Sequence, residues 1–294
     1  MRKTLFAAAI AAAFSTPSFV QAQATAPSAA EASPHTLTGN VALVTDYRFR
    51  GISQTYGLPA IQGGFDYAHA SGVYLGTWAS NVYSTAGNGV GTSYTNGAGL
   101  EWDLYGGYKF EVAKDLMLDV GALYYYYPGA RWNNTERSSF DNLELYIGAT
   151  YQWFSVKYSQ SLTDYFGAKT ATLGGVCGIE TNGTTSSGNC FGAAPGSSKG
   201  SSYLEMNANF EVGDKLMLGL HAGHATVQNY GLLDYTDYKV SLSKEFNGFN
   251  VGIAAIGTDA KRDIYRTTTG TTTAPTGTYD TSAPTLVLSV SKTF

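Results

Sequence analysis

The chain has 294 residues, 18 basic against 22 acidic, and only 14% of them are charged. Mild acidity without a basic cluster excludes nucleic acid as a partner, and no later stretch is long and apolar enough for a membrane helix. The 22 Tyr, 14 Phe and 35 Gly are what closed antiparallel barrels contain, although a secreted β-sandwich shares that mixture.

The first segment sets the compartment. Arg2 and Lys3 form a basic start, Leu5 to Phe14 a short apolar core, and Val20-Gln21-Ala22 a small-x-small cleavage site. This is a secretory signal peptide over residues 1–22, with cleavage after Ala24 as the other option. Removing Arg2 and Lys3 leaves 16 basic against 22 acidic residues, a net charge of −6. Residues 23–36, rich in Ala, Ser and Pro, read as a flexible periplasmic leader before a domain over residues 37–294.

From Leu37 onward the apolar pattern has a period of two. Leu37, Val41, Leu43 and Tyr47 share one face, opposite Thr38, Asn40, Asp46 and Arg48. The spacing predicts strands near 37–49, 59–69, 72–82, 99–110, 115–127, 141–151, 153–160, 202–211, 215–225, 235–246, 249–258 and 284–294. Most approach the roughly 9–11 residues a tilted strand needs to cross a bilayer.

The connections decide between barrel and sandwich. Tight turns occur at HASG, EVAKD, YQW, EVGDK and FNGF, each carrying turn chemistry. Between them lie longer polar stretches near 50–58, 83–98, 128–140, 161–201, 226–234 and 259–283. Short and long alternate throughout, as in an outer-membrane barrel with short periplasmic turns and long external loops. A soluble sandwich has no reason to sort its loops this way. The expected fold is an all-β, up-and-down transmembrane barrel of twelve strands.

The final strand, TLVLSVSKTF, places Leu286, Leu288, Val290 and Phe294 on one face. A last strand must pair with the first to abolish the open edge. A terminal Phe294 on an apolar face also resembles the C-terminal signal read by the outer-membrane assembly machinery. An ordinary final strand is the other reading. Lys292 falls on the lipid-side register, where it could snorkel to the interface.

The segment VTDYRFRGISQTYGLPAIQGGFDYAHASGVYLGTWASNV, residues 44–82, resembles the TorF-type porins of proteobacteria, also catalogued as a conserved protein of unknown function. The resemblance rests on Asp46 to Gln54, Pro59 to Tyr67 and Trp78 to Asn81, with Glu101 to Tyr108 compatible. It implies an outer-membrane barrel, suggests passive transport and supplies no catalytic residues.

If apolar faces look at lipid, polar faces line the lumen. The inward candidates are Asp46, Arg48, Asp66, Glu101, Asp103, Lys109, Asp119, Glu144, Lys157, Glu205, Asp237 and Lys239, eight acids against four bases. They pair across the barrel and fill it, or unpaired acids give a mild cation preference. Asp46, Arg48 and Arg50 fall in one register at the outer end of strand one, where Asp66 is expected to approach them. That cluster reads as a salt-bridge network or as a carboxylate- or phosphate-binding constriction. Tyr124 and Tyr126 face outward as an aromatic girdle, while inward Tyr125 and Tyr127 either stack solutes or serve the wall.

Cys177 and Cys190, with twelve residues between them, lie in the longest loop. In an oxidising compartment they are expected to form a disulfide, worth about 3 kcal/mol of chain entropy. No His or further Cys nearby favours zinc.

Two patterns have the spacing of enzymatic or metal sites. His69-Ala70-Ser71 has the His-x-Ser spacing of outer-membrane phospholipases but falls in a predicted periplasmic turn. His221 and His224 point oppositely on a strand, so no metal pair follows. The expected function is a porin for small hydrophilic solutes, non-enzymatic, without cofactor or metal, with outer-membrane lipids as surroundings. A barrel with a closed lumen and a structural or surface-binding role is the alternative.

Overall fold

A computed structural model describes residues 33–83, 94–132, 136–173, 196–271 and 274–294. The expected signal peptide and the expected pairing of Cys177 with Cys190 lie outside the described residues.

Twelve strands close into one antiparallel barrel. They are β1 (His35–Val44), β2 (Ala60–His69), β3 (Val73–Asn81), β4 (Leu100–Ala113), β5 (Leu116–Tyr126) and β6 (Asn142–Tyr151). The second half is β7 (Phe154–Ser161), β8 (Ser202–Gly213), β9 (Leu216–Thr226), β10 (Tyr235–Phe246), β11 (Phe249–Thr258) and β12 (Thr285–Thr293). Each strand pairs with its neighbours in sequence, and β12 pairs with β1.

The five tight turns stand where turn chemistry predicts them. Between β10 and β11, Asn247 and Gly248 both take positive φ, 51° and 81°, as a type I′ hairpin turn requires. FEVAKDLML (110–118) and FEVGDKLML (210–218) carry nearly the same sequence and show the same register shift before their turns. All five turns and both ends of the sheet lie at one rim, and the long connections at the other.

Side chains alternate as the period of two demands. Leu37, Leu43, Ile61, Phe65, Ile147, Val240, Leu286 and Leu288 are among the outward residues left exposed. A continuous apolar exterior of this kind has no place in water and suits hydrocarbon. Tyr124 and Tyr126 stack outward near the long-loop rim, with Trp102 beside them. Outward Lys292 lies near the short-turn rim, its Nζ 4.9 Å from the centre of the Phe249 ring.

The seam is held by more than the β1–β12 ladder. Gly39 N–H donates to the Phe294 carbonyl at 2.7 Å, and Phe294 N–H donates back at 2.9 Å. The Phe294 ring covers Gly39 so closely that a Cβ there would lie 2.7 Å from Cε2. Backbone pairing and an outward aromatic therefore share one residue at the closure point.

Strand one differs from expectation at both ends. It starts at His35, because His35 and Thr36 pair with His69 and Ala68 on β2. It stops at Val44, so Asp46, Arg48 and Arg50 lie in the connection to β2 rather than on the barrel wall. Asp66 pairs with Thr38 near the opposite rim, and the expected approach of Asp66 to the arginines does not occur. The alternation runs on through residue 48, but after Val44 the chain turns inward to satisfy its charged groups.

The remaining long connections form a second packed layer. Trp132 stacks on Phe140 at 4.6 Å, within a cluster that includes Leu173, Val227, Tyr230 and Leu233. Tyr230 donates to the Gly196 carbonyl at 2.6 Å, and Tyr265 to the Leu233 carbonyl at 2.8 Å. Parts of four loops are thus tied together over the barrel mouth.

Inside, tyrosines lie flat on glycines of the adjacent strand: Tyr105 on Gly76, Tyr74 on Gly107, Tyr146 on Gly121 and Tyr203 on Gly223. The missing Cβ lets each ring reach along the wall instead of standing into the lumen. A Gly223→Val change would drive a side chain into the buried Tyr203 ring and should cost about 1–3 kcal/mol. Gly99, with nothing within 4 Å of its Cβ position, should accept Val with little loss. Unfolding midpoints followed by circular dichroism check both; equal midpoints would refute the packing account.

Candidate functional site: the barrel lumen

Ten of the predicted lumen residues lie inward on barrel strands. These are Asp66, Glu101, Asp103, Lys109, Asp119, Glu144, Lys157, Glu205, Asp237 and Lys239. The other two, Asp46 and Arg48, enter from the connection after β1. That connection carries a two-residue-per-side ribbon, Arg48–Phe49 paired with Ile52–Ser53. Its tip is Arg50 and Gly51, with φ of 46° and 80°, a reversal that places the ribbon head inside the barrel.

The ribbon spans the lumen. At one side a Cβ on Gly51 would sit 2.7 Å from the Asp237 Cβ on β10. At the other side Phe49 packs edge-on against Tyr125 of β5, and Arg50 Nη2 donates to Glu144 of β6 at 2.7 Å. Strands β10 and β5 stand five places apart in a ring of twelve, nearly opposite each other.

The ribbon is fastened by its own polar groups. Arg48 Nε donates to Asp46 at 2.6 Å, and its Nη1 donates to the carbonyls of Gly51, Thr281 and Ala283. Asp46 also accepts from the hydroxyls of Ser53 at 2.6 Å and Thr55 at 3.0 Å. Arg50 adds a bond to the Tyr165 hydroxyl at 3.1 Å and lies 4.2 Å from the centre of the Tyr203 ring. Burial pushes the Tyr165 phenol up, so it stays neutral beside the guanidinium. Arg48 and Arg50 are only 3% and 2% exposed, so at this level the side chains fill the barrel. Both guanidiniums are held in ion pairs with buried acids, Asp46 and Glu144.

Phenols answer the acids in the wall. Glu101 accepts from Tyr47 at 2.6 Å and Tyr127 at 2.7 Å. Asp66 accepts from Tyr105 at 2.6 Å, Asp119 from Tyr74 at 2.6 Å, and Asp237 from Tyr203 at 2.8 Å. Tyr74 also meets the Tyr146 hydroxyl. The inward Tyr125 and Tyr127, for which stacking and wall roles were both open, here sit against Glu144 and Glu101. A phenol gives a carboxylate a hydrogen bond without adding a positive charge, so the pairing brings no extra base into the wall.

Toward the short-turn rim the lumen is looser. Lys109 Nζ lies 3.8 Å from Asp119, and its side chain keeps 30% of its exposure. Lys157 pairs with Glu205 at 2.7 Å. Lys239 is buried in the field of Glu205 and Asp237. His221 points inward between Asp237 at 2.9 Å and Asn207 at 2.7 Å, while His224 points outward to Thr236.

Asp103 stands apart. It is 0% exposed, and among the described residues neither carboxylate oxygen has a hydrogen-bond partner. Sequence reasoning included Asp103 but had no signal for its isolation. It left the ribbon's Arg50 out of the inward set and missed the tyrosine contribution. The findable signal is an inward Tyr directly opposite a Gly on the next strand, as in Tyr105–Gly76, Tyr74–Gly107 and Tyr146–Gly121, or diagonal to one, as in Tyr203–Gly223.

At the short-turn rim His69 Nδ1 accepts from Ser71 N–H at 3.1 Å and meets Ser71 Oγ at 2.8 Å. His69 is half-buried at the end of β2 and Ser71 is exposed in the β2–β3 turn, with the His35 ring 5.0 Å from that of His69. The contact closes a turn and faces no substrate pocket seen among the described residues.

Residues 28–294 match the family described as a bacterial protein of unknown function, Gcw_chp. The chain belongs to that family. The match carries no TorF name, and no curated protein sequence matches the chain. Solved structures of similar architecture include the KdgM porin in complex with disordered oligogalacturonate, at 9% identity over 88% of this chain and 99% of that one, TM-score 0.46. The NanC porin gives 8% identity over 88% and 99%, TM-score 0.47. Pseudomonas aeruginosa OprD gives 11% over 90% and 68%, TM-score 0.35. Identities and scores this low leave the family's function to be argued from the lumen itself.

Removing one partner of the Arg50–Glu144 pair leaves the other charge buried. Arg50→Met should destabilise the barrel by about 3–5 kcal/mol, and adding Glu144→Gln should restore most of that. Unfolding midpoints of the single and double variants read this out; additive losses would contradict the pairing.

Proposed function

We propose that the protein is an outer-membrane channel through which small hydrophilic solutes diffuse. The short turns face the periplasm and the long loops face outward, as in barrels with both chain ends inside. The observation that carries this reading is a closed barrel with an apolar exterior and a lumen wall of titratable and phenolic groups. Such a wall replaces part of a solute's hydration, which an apolar core cannot do.

The ribbon after β1 is the narrowest part of the path, and conductance is accordingly small. The wall carries more acids than bases, which supports a mild preference for cations. The TorF-type resemblance is consistent with passive transport.

The ribbon also favours a second reading, in which the lumen is closed and the protein acts structurally or through its loops. The two readings separate in a planar lipid bilayer held across a salt gradient. The channel reading expects small discrete steps, with the reversal potential on the cation-selective side. Replacing residues 48–53 by a short Gly-Ser turn should enlarge those steps severalfold. Silence from the folded wild type, with steps only after the ribbon is removed, establishes the closed barrel instead.

A further inference from the structure

The lipid-facing side of the barrel is almost free of charge. Among the described residues, Lys244 on β10 and Lys292 on β12 are the only Asp, Glu, Lys or Arg at outward positions of the twelve strands. They fall on one patch. Lys244 stands opposite Val251 of β11, and Lys292 follows Ser291, which stands opposite Asn250 of the same strand. The two lysines therefore flank β11, two strand spacings or roughly 10 Å apart across the sheet.

Both side chains lean toward the same place. The Lys244 Nζ lies 5.8 Å from the centre of the Phe246 ring, and the Lys292 Nζ 4.9 Å from that of Phe249. Phe246 and Phe249 are cross-strand partners beside the short β10–β11 turn, so the two ammonium groups converge on one aromatic pair. Among the described residues neither lysine meets an acid, and the adjacent Glu245 is already paired with Lys215 at 2.7 Å. Charges in a hydrocarbon-facing surface are tolerated near its edge, where long side chains reach the headgroups. On the bilayer side of the lysines, Leu242, Val251, Ile253, Leu288 and Val290 form an exposed apolar strip across the same three strands.

These two features fit the two ends of one molecule. A phosphate accepts from both ammonium groups, while acyl chains cover the apolar strip. A zwitterionic headgroup brings a cation of its own, which two lysines repel, whereas an anionic headgroup does not. We propose that Lys244 and Lys292 hold the phosphate of one anionic glycerophospholipid against β10–β12, in the leaflet at the short-turn rim. The inference stands whether the lumen is open or closed.

The experiment is native mass spectrometry of the full refolded barrel, released from detergent containing equal amounts of phosphatidylglycerol and phosphatidylcholine with the same acyl chains. One phosphatidylglycerol per barrel is expected to be retained, roughly tenfold over phosphatidylcholine. Lys244→Gln should cut that preference severalfold, and Lys244→Gln with Lys292→Gln should remove it. Lys114→Gln, in the exposed β4–β5 turn across the barrel, should leave it unchanged. Equal retention of the two lipids by the wild type overturns the proposal, and that comparison needs no variant to fold. A preference undiminished in the double variant also overturns it. So does an equal loss in Lys114→Gln, which would assign the effect to the charge of the whole rim. Lys244 lies away from the closing pair of Gly39 and Phe294, so Lys244→Gln alone carries the test where Lys292→Gln disturbs closure.

Discussion

Everything in this molecule depends on closing the sheet. A strand edge in hydrocarbon leaves backbone donors and acceptors without water, and each unpaired group costs several kcal/mol. The β1–β12 seam removes that edge, and its last rung is the reciprocal pair between Gly39 and Phe294. The Phe294 ring lies on Gly39 because glycine leaves room for it, so closure and outer-face packing occur at the same point.

Closure creates an interior that must then be filled or kept wet. Here the filling is polar. The inward tyrosines lie along the wall over glycines, and their hydroxyls reach carboxylates on other strands. This arrangement accounts for a composition rich in both residue types. It also explains how the wall tolerates many acids: a phenol provides a strong hydrogen bond at the carboxylate without a cation beside it. The cations are used more sparingly, on Glu144, Glu205, Asp46 and Asp119. The lumen is thereby divided into a packed half under the long loops and a looser half at the short turns. The packed half holds the ribbon and Asp103; the looser half holds Lys109 and Asp119.

The ribbon after β1 turns a simple tube into a device with a cross-member. Its head touches β10 on one side and β5 and β6 on the other, and Arg48 anchors its base to the segment before β12. Whatever passes through the barrel passes this element, so its polar fastening governs both stability and permeation.

The amino-acid sequence by itself determined the twelve strands, their inward and outward faces and the five tight turns. Those features are local: a period of two and the chemistry of Asn247-Gly248 or Gly72 act within a few residues. The ten inward charges on strands were legible for the same reason. The course of residues 45–58 was not, because alternation continues through Arg48 as if the strand went on. What bends the chain inward is Glu101 for Tyr47, Glu144 for Arg50 and Thr281 for Arg48, partners 54, 94 and 233 residues away. The isolation of Asp103 is equally invisible in sequence, since it depends on which strands stand across the lumen. Only the closed barrel, by bringing distant strands face to face, decided which of the inward charges meet a partner.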